Sequence, residues 1–225
     1  MKDLRSWTPR PTPRRETIAG RFVRLEPLDP VRHGDALFEA GAGPDAEALW
    51  RYLFEAPITR RDVFDAWARE AAATDDPLFF SVVDAASGRA EGRLALMRIT
   101  PAHGVLEVGS ILYGPRLARS RAATEAIYLL GRHVFEKLGY RRFEWKCDDR
   151  NEPSKRAALR FGFTFEGVFR KHMVVKGESR DTAWFGIVDE DWPRLARGYR
   201  AWLDPANFDA HGRQRESLTA FTTPA

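Results

Sequence analysis

Asn151 and Ser154 have polar side chains that could take part in chemistry, and the sequence predicts where in the fold they lie. Residues 140–163 predict a strand that passes through Asn151 and a helix-starting Pro153 into a short helix, which Gly162 ends. This order brings Asn151 and Ser154 together at the carboxyl end of the strand. A hydroxyl at that point could transfer a proton during catalysis. Serine at a helix start also commonly accepts hydrogen bonds from backbone amides, so a structural role stays open.

Three arginines precede another predicted helix and suggest an anion site. Arg116, Arg119 and Arg121 lie in residues 114–124, between a predicted strand and a predicted helix. Free amides and the dipole at a helix start attract anions, and guanidinium groups bind phosphates through paired hydrogen bonds. The alternative is an ordinary basic helix entry, although cations there are unfavourable without an anion.

Several other side chains could belong to a site or to the core. Four aromatic residues could line a substrate pocket or simply pack in the interior. They are Trp50, Tyr52, Trp145 and Trp184. His172 on a predicted strand leaves the same choice between a structural hydrogen bond and a proton shuttle. Cys147 fits a small buried hydrophobe better than a nucleophile, because no His is visibly arranged to activate it.

Composition limits the classes of protein to which the chain can belong. Its 225 residues, with 12% aromatic residues and seven Trp, suffice for one domain with a sizeable core. The net charge of +4 is spread along the chain, which fits an anionic small ligand better than nucleic acid. One Cys excludes an internal disulfide and a Cys-based zinc site, and the five His show no metal-binding spacing. We therefore expect no metal.

The chain is expected to have one domain with an arm at each end. Residues 1–15 are rich in Pro and Arg and predict an extended arm, residues 16–203 predict the domain, and residues 204–225 predict a loose tail. No apolar run approaches membrane-spanning length, and residues 1–20 lack the apolar stretch of a signal peptide. We expect a cytoplasmic protein with no membrane partner.

Hydrophobic patterns predict an α+β order of elements. The predicted strands span residues 18–26, 78–84, 93–99, 106–113, 142–147, 165–175 and 182–188. The predicted helices span residues 29–40, 45–53, 59–73, 123–138 and 189–203, in addition to the short helix that Gly162 ends. Asp29 and Thr59 are the predicted N-caps of the first and third helices. Residues 176–181 are expected to form a polar hairpin loop.

The stretch from Asn151 to Phe163 resembles the coenzyme A site of the GCN5-related N-acetyltransferase (GNAT) superfamily. The likeness is strongest to the Rim-type branch, which acetylates ribosomal-protein N-termini and in which Asn-x-x-Ser follows the fifth strand and Gly-Phe closes the next helix. The resemblance covers about residues 17–192. It implies the GNAT fold, which is α+β with a central mixed, mostly antiparallel sheet of about seven strands flanked by helices.

The resemblance also implies acetyl-CoA as cosubstrate. In the family, the loop before the long helix carries Gln/Arg-x-x-Gly-x-Gly/Ala, and here Ala118 and Arg121 replace its first and fourth residues. The arginines of this loop could offset the loss by contacting phosphates directly. The residues expected to bind coenzyme A are Ile111, Leu112, Tyr113, Arg116, Arg119, Ser120, Arg121, Ala122, Ala123, Thr124, Asn151 and Ser154.

The resemblance assigns catalytic roles as well. Ser154 is the expected acid that protonates the departing thiolate, since Ala158 occupies the position of the tyrosine that many relatives use. Glu107 is the expected general base, with Glu144 as the other candidate. Lys146 stands where some N-terminal acetyltransferases have a Glu, so the identity of the base stays open.

The expected activity is direct transfer of an acetyl group from acetyl-CoA to a primary amine. The acceptor could be a protein N-terminus or a small molecule, and the four aromatic residues named above are expected to line its pocket. We expect a monomer or homodimer. The alternative is a catalytically silent acyl-CoA-binding or ribosome-associated module on the same fold.

Overall fold

An open sheet forms the centre of the molecule. The computed structural model describes residues 3–223. Within that range the sheet has eight strands: β1 (Ile18–Ala19), β2 (Val23–Pro27), β3 (Leu78–Asp84), β4 (Ala90–Thr100), β5 (Val105–Tyr113), β6 (Arg142–Asp148), β7 (Thr164–Val175) and β8 (Glu178–Val188). Their order is β1-β2-β3-β4-β5-β6-β8-β7, and every adjacent pair is antiparallel except β5 and β6. The predicted α+β fold with a mostly antiparallel mixed sheet is confirmed.

Helices cover both faces of the sheet. They are α1 (Pro30–Gly41), α2 (Ala46–Trp50), α3 (Arg61–Ala73), α4 (Arg121–Arg132), α5 (Glu152–Arg160), α6 (Trp192–Leu203) and α7 (Leu218–Thr222), with a π-helical segment (His133–Lys137) after α4 and a short 3-10 helix (Pro205–Asn207). Asp29 caps α1 as predicted, because its side chain accepts hydrogen bonds from two backbone amides. The capping prediction for Thr59 is wrong: α3 begins one residue later, and its N-cap Arg60 makes no side-chain capping bond.

The sheet separates two apolar clusters. Leu94 and Leu96 face the cluster that α4 and α6 cover, whereas Ala95 faces the cluster that α1 and α3 cover. This alternation follows from the two-residue period of a strand. Both faces of the central strands are therefore buried, and the carboxyl ends of β5 and β6, near α4 and α5, are left to form a site.

The first predicted strand is instead a short hairpin, β1 and β2. The carboxylate of buried Glu125 on α4 accepts hydrogen bonds from the N–H groups of Arg21, Phe22 and Val23, at 2.9, 2.6 and 3.0 Å. These bonds satisfy the amides of the turn and hold it against α4.

The hairpin between β7 and β8 is tighter than predicted. Its turn consists of Lys176 and Gly177, whose φ angles are +50° and +79°, and β8 already begins at Glu178. Two successive residues with positive φ match the twist of the flanking strands. The predicted loop over 176–181 is therefore wrong, and Arg180 lies within a strand.

Residues 3–17 contact the rest of the chain without forming a helix or strand. Trp7 donates its indole N–H to the carbonyl of Ala102 at 2.8 Å, and its ring packs under Arg10 at 4.1 Å. The backbone N–H of Arg10 donates to Pro101 at 3.0 Å. These contacts fix residues 7–10 on the surface of the domain, where the sequence suggested a free arm.

Residues 204–223 fold against α6, in contrast to the loose tail expected from the sequence. Leu218 on α7 is fully buried, and the ring of Phe208 packs edge-on against Trp202 at 5.1 Å. The side chain of Asn207 donates to the carbonyls of Trp202 and Glu216. Within residues 3–223, no helix is long and apolar enough to cross a membrane.

Candidate active site

The parallel strands β5 and β6 separate toward their carboxyl ends. They pair over four residues, from Val105 with Arg142 to Val108 with Trp145. Beyond Val108, β5 follows β4 and β6 follows β8. A wedge-shaped gap therefore opens, and the starts of α4 and α5 lie at its mouth.

A cavity of about 1170 Å³ occupies one side of this gap. Its walls are the end of β5, the starts of α4 and α5, and residues near the carboxyl end of the chain. Of the residues predicted to bind coenzyme A, the following line it: Ile111, Leu112, Tyr113, Arg119, Ser120, Arg121, Ala122, Ala123, Thr124, Asn151 and Ser154.

Arg116 does not belong to this cavity. Its guanidinium donates to both oxygens of the Glu91 carboxylate, at 3.0 and 2.9 Å, and it lines a separate surface pocket. The ion pair with Glu91 on β4 therefore holds the Arg116 side chain on the side of the β5–α4 loop that faces away from the large cavity. Its predicted role in phosphate binding is therefore withdrawn.

The start of α4 carries unsatisfied backbone donors. Ser120 caps the helix, since its hydroxyl accepts the N–H of Ala123 at 3.0 Å. Within residues 3–223, no partner is found for the N–H groups of Arg121 and Ala122, which both line the cavity. Arg119 brings the chain into the helix with a φ of +61°. Free amides at a helix start form an anion site.

The side chains around the cavity add positive charge. Arg121 lies over the ring of Phe208 at 3.5 Å, which holds its guanidinium in the wall. Asp84 is the one carboxylic acid among the described residues that line the cavity, and its carboxylate already accepts bonds from Ser87. The arginines of the lining are Arg21, Arg119, Arg121, Arg160 and Arg213. The cavity therefore suits a large ligand with several negative charges.

A bulge shapes β5 beside the gap. Between Gly109 and Leu112, β5 has one residue more than the paired stretch of β4, and Ser110 takes a φ of +50°. Buried Arg93 donates to the carbonyl of Ser110 at 3.0 Å and to its hydroxyl. Burial lowers the pKa of Arg93 to about 10, so the guanidinium stays charged at neutral pH. Such a bulge releases backbone groups from the ladder next to the cavity.

The sequence left open whether Ser154 caps a helix or is available for proton transfer, and the structure gives the capping role to Asn151. The side-chain oxygen of Asn151 accepts the N–H of Ser154 at 3.1 Å and so caps α5. The hydroxyl of Ser154 instead accepts the indole N–H of Trp145 at 2.9 Å. This bond does not use the Ser154 proton, for which the neighbouring Cys147 thiol is one acceptor within the site.

A second, smaller cavity of about 300 Å³ lies on the other side of the gap. Tyr52 and Glu107 line it together with residues of β6, β7 and β8. Six residues line both cavities: Leu49, Ile111, Trp145, Asn151, Pro153 and Ser154. The two cavities therefore meet at Ser154.

The comparisons with known proteins agree with this architecture. The acetyltransferase (GNAT) domain matches residues 23–164, which is more than half of the chain. The chain belongs to the GNAT acetyltransferase family. Members of this family are acyltransferases with acetyl-CoA as cosubstrate, and the cationic cavity fits such a ligand in size and charge.

Solved structures extend the GNAT match to almost the whole chain. A GCN5-related N-acetyltransferase from Brucella melitensis is 55% identical, with 98% of this chain and 100% of that chain covered and a TM-score of 0.96. A probable acetyltransferase of the GNAT family from Chromobacterium violaceum is 41% identical over 86% of this chain and 96% of that chain, with a TM-score of 0.79.

More distant likenesses show the fold alone. An acetyltransferase from Salmonella typhimurium that modifies the N-terminal serine of ribosomal protein L7/L12 is 18% identical over 77% of this chain and 99% of that chain, with a TM-score of 0.67. No curated protein matches the chain.

The carboxylates of this GNAT domain differ in their access to the small cavity. Glu107 lines it and is bound by Arg98 at 2.8 Å and by Lys146 at 2.9 Å. Glu144 lines neither cavity and is bound by Lys146 and Arg142, both at 2.7 Å. Burial alone would raise the pKa of Glu144, but the hydrogen bonds from these two cations outweigh it and lower the pKa. Glu107 therefore remains the better candidate for a base.

The four predicted aromatic residues have different positions in the GNAT fold. Tyr52 and Trp145 line the small cavity, and Tyr52 donates its hydroxyl to the carbonyl of Arg150 at 3.1 Å. Trp50 is 2% exposed, donates its indole N–H to Gly41 and lines neither cavity, because it packs in the core under α1. Trp184 lines neither cavity and lies under the Lys146 ammonium at 3.8 Å. The substrate-binding prediction is withdrawn for Trp50 and Trp184.

His172 and Cys147 also line the small cavity. The ring of His172 hydrogen-bonds the hydroxyl of Thr182 at 3.0 Å. Burial raises the pKa of the Cys147 thiol, which opposes a nucleophilic role. Within the described range, no group of three or more His, Cys, Asp or Glu side chains could hold a metal ion.

Sequence reasoning missed one wall of the large cavity. The residues concerned come from α6 and from the segment that follows it: Trp202, Phe208, Gly212, Arg213 and Gln214. The available signal was the recurrence of aromatic and basic residues after residue 200. That segment has no regular hydrophobic periodicity, so its sequence does not predict a wall of the cavity.

Proposed function

We propose that this GNAT protein is an acetyl-CoA-dependent N-acetyltransferase that transfers acetyl directly to a primary amine. The observation that carries the proposal is that Trp145, Asn151 and Ser154 line both cavities. A ligand in each cavity would have its reactive end at the same place. Holding two reactants in this way supplies much of the rate of a bimolecular reaction.

Coenzyme A would be held by the large cavity. The free N–H groups of Arg121 and Ala122 and the guanidinium groups of Arg119 and Arg121 are suited to its phosphates. The bulged backbone around Ile111 would polarise the carbonyl that is attacked.

The thioester supplies an activated acetyl group, so that a C–N bond forms while the C–S bond breaks. The acceptor ammonium loses two protons overall. One replaces the proton that Ser154 donates to the leaving sulfur, and the other is released to solvent. Trp145 supports this step, because its N–H occupies one lone pair of the Ser154 oxygen and orients the hydroxyl. Glu107 is the proposed proton acceptor, acting directly or through water.

The Rim-type assignment stays part of the proposal. Its support is the Asn151–Ser154 pair, together with a shared fold at 18% identity. The competing proposal, a silent acyl-CoA-binding or ribosome-associated module, predicts binding of acetyl-CoA without release of its thiol.

Acetyl-CoA binding and turnover test the proposal together. We expect acetyl-CoA to raise Tm and a panel of amines to release its thiol. Arg121→Ala should weaken acetyl-CoA binding by about tenfold, through loss of a charge-assisted hydrogen bond, and Arg121→Glu should weaken it further by reversing the charge. Titration calorimetry measures both.

The matched control is Arg69→Glu on α3, an exposed position that lines neither cavity. It should bind acetyl-CoA like the wild type. Absence of any thermal shift in the wild type would refute the cosubstrate. Equal affinities for the two Arg121 variants would remove Arg121 from the phosphate site.

A further inference from the structure

Arg180 is a buried cation without a partner. It lies on β8 opposite Met173 of β7, is 6% exposed and lines the small cavity. Among residues 3–223, no hydrogen bond reaches its guanidinium, and no carboxylate lies within ion-pair distance of it. Its nearest aromatic contact is the ring of Phe54 at 5.2 Å.

The acids around Arg180 are already engaged elsewhere. Asp148 and Glu107 attract its charge from beyond ion-pair distance. Asp148 is bound by Arg150 at 3.0 Å, and Glu107 is bound by Arg98 and Lys146. Burial lowers the pKa of Arg180, as expected for a charge that its surroundings do not fully compensate.

The other two cations of this cavity differ from Arg180. Arg98 is paired with Glu107, and Lys146 is paired with both Glu107 and Glu144. Among the described residues of the lining, one guanidinium therefore remains unpaired. Burial of a charge is unfavourable unless a partner neutralises it, so the small cavity is incomplete until an anion enters.

We propose that the amine acceptor carries a carboxylate group that Arg180 binds. The inference rests on the proposed N-acetyltransferase function and names the class of its acceptor. A single carboxylate matches the single unpaired charge, and its geometry fits the guanidinium fork. A phosphate monoester carries a charge of about −1.5 to −2 and would need a second free cation.

The size and layout of the cavity favour a small amino acid over a protein chain end. A volume of about 300 Å³ accommodates a small molecule. Ser154 lines both cavities, whereas Arg180 lines only the smaller one. The acceptor therefore directs its amine toward Ser154 and its carboxylate toward Arg180.

Matched acceptors test this inference. Kinetics with amino acids, their carboxamides and aminoalkyl phosphates should give a kcat/KM for the carboxylates at least about tenfold above that for the carboxamides. Arg180→Gln should abolish this preference, mainly through a higher KM for the carboxylates, and leave the carboxamides unchanged. The control Arg170→Gln, at an exposed position of β7, should keep the preference.

A preference for carboxamides or aminoalkyl phosphates would overturn the inference, as would a carboxylate preference that survives in Arg180→Gln. Acetyl-CoA turnover with peptides or neutral amines alone would also overturn it while leaving the proposed function intact. Failure to bind acetyl-CoA would instead overturn the proposed function.

A measurement without any ligand tests the unpaired charge independently of catalysis. Arg180→Met removes the charge and keeps an apolar side chain of adequate length, so Tm of the unliganded protein should rise by about 2–4 °C. The same change at exposed Arg170 should leave Tm nearly unchanged. A lower Tm for Arg180→Met would mean that the folded protein already compensates the guanidinium, which overturns the inference.

Discussion

The hydrogen bond from Trp145 to Ser154 shows that this serine, although it lies at a helix start, does not cap the helix and can serve in proton transfer. Asn151 caps α5, so the Ser154 oxygen is not needed to satisfy the helix. The indole N–H occupies one lone pair of that oxygen and does not use its proton. Ser154 can therefore be changed without removing the helix cap, which makes its chemical role accessible to mutation.

Ser154→Ala should lower kcat by about a hundredfold, which is the low end of general acid contributions, with little change in acetyl-CoA affinity. The variant retains the Asn151 cap, so Tm should change little. Trp145→Phe keeps an aromatic ring but removes the N–H, and it should lower kcat less than Ser154→Ala. Steady-state kinetics and melting on the same preparations measure these effects. Wild-type kcat in Ser154→Ala would leave protonation of the thiolate to water.

At the scale of elements, the segment that follows α6 both packs in the core and forms part of the wall of the large cavity. α7 places fully buried Leu218 against α6, and the segment between these helices carries Phe208 and Arg213 into the wall of the large cavity. Leu218 itself does not line the cavity. An effect of Leu218 on ligand binding would therefore act through the position of the segment.

Leu218→Ala should destabilise the protein by about 2–5 kcal/mol through lost burial and the cavity left behind. It should also weaken acetyl-CoA binding, because the wall that contains Phe208 and Arg213 is no longer held in place. Denaturant unfolding and calorimetry measure the two effects. The control Leu159→Ala, at a side chain that is 52% exposed on α5, should change neither quantity appreciably. Unchanged acetyl-CoA affinity in Leu218→Ala would separate the segment from the site.

Local signals in the sequence predict some of these elements and not others. α5 was predictable, because Asn151, Pro153 and Gly162 mark its ends within a few residues. The β1–β2 turn was not, since the carboxylate that holds it belongs to Glu125, about a hundred residues further along the chain. The strand position of Arg180 was not predictable for a related reason. The polar run around it is typical of a loop, whereas pairing of β8 with β6 and β7 makes it a strand.

At the scale of the whole molecule, two buried histidines should make stability depend on pH. His33 accepts the N–H of Asp29 at 3.1 Å, and its other ring nitrogen contacts Glu26 at 3.2 Å. His133 is buried, and no partner for its Nε2 is found among residues 3–223. Burial lowers the pKa of both rings, despite the opposing effect of nearby carboxylates.

These histidines should make Tm fall as the pH decreases from about 7 to 5. The unfolded chain takes up protons near its ordinary pKa of about 6.5, whereas the folded protein keeps both rings neutral to lower pH. Acidification therefore favours the unfolded state, and a fall of roughly 2–4 °C is expected. Melting scans at several pH values measure it.

The variant His133→Gln should flatten this dependence, because it removes one of the two groups responsible. His211→Gln, at an exposed position, should retain the wild-type pH profile. A Tm that does not change over this range in the wild type would contradict the proposed origin.

The four-residue parallel pairing of β5 with β6 is a narrow seam between two antiparallel half-sheets, one ending at β5 and the other beginning at β6. Both cavities open along this seam, so its width sets the distance between the walls that face each reactant. A substitution outside both linings, for example at buried Leu25 on β2, should therefore be able to alter catalysis by shifting one half-sheet relative to the other. Such an effect on turnover would act through the width of the seam and would need no direct contact with Ser154.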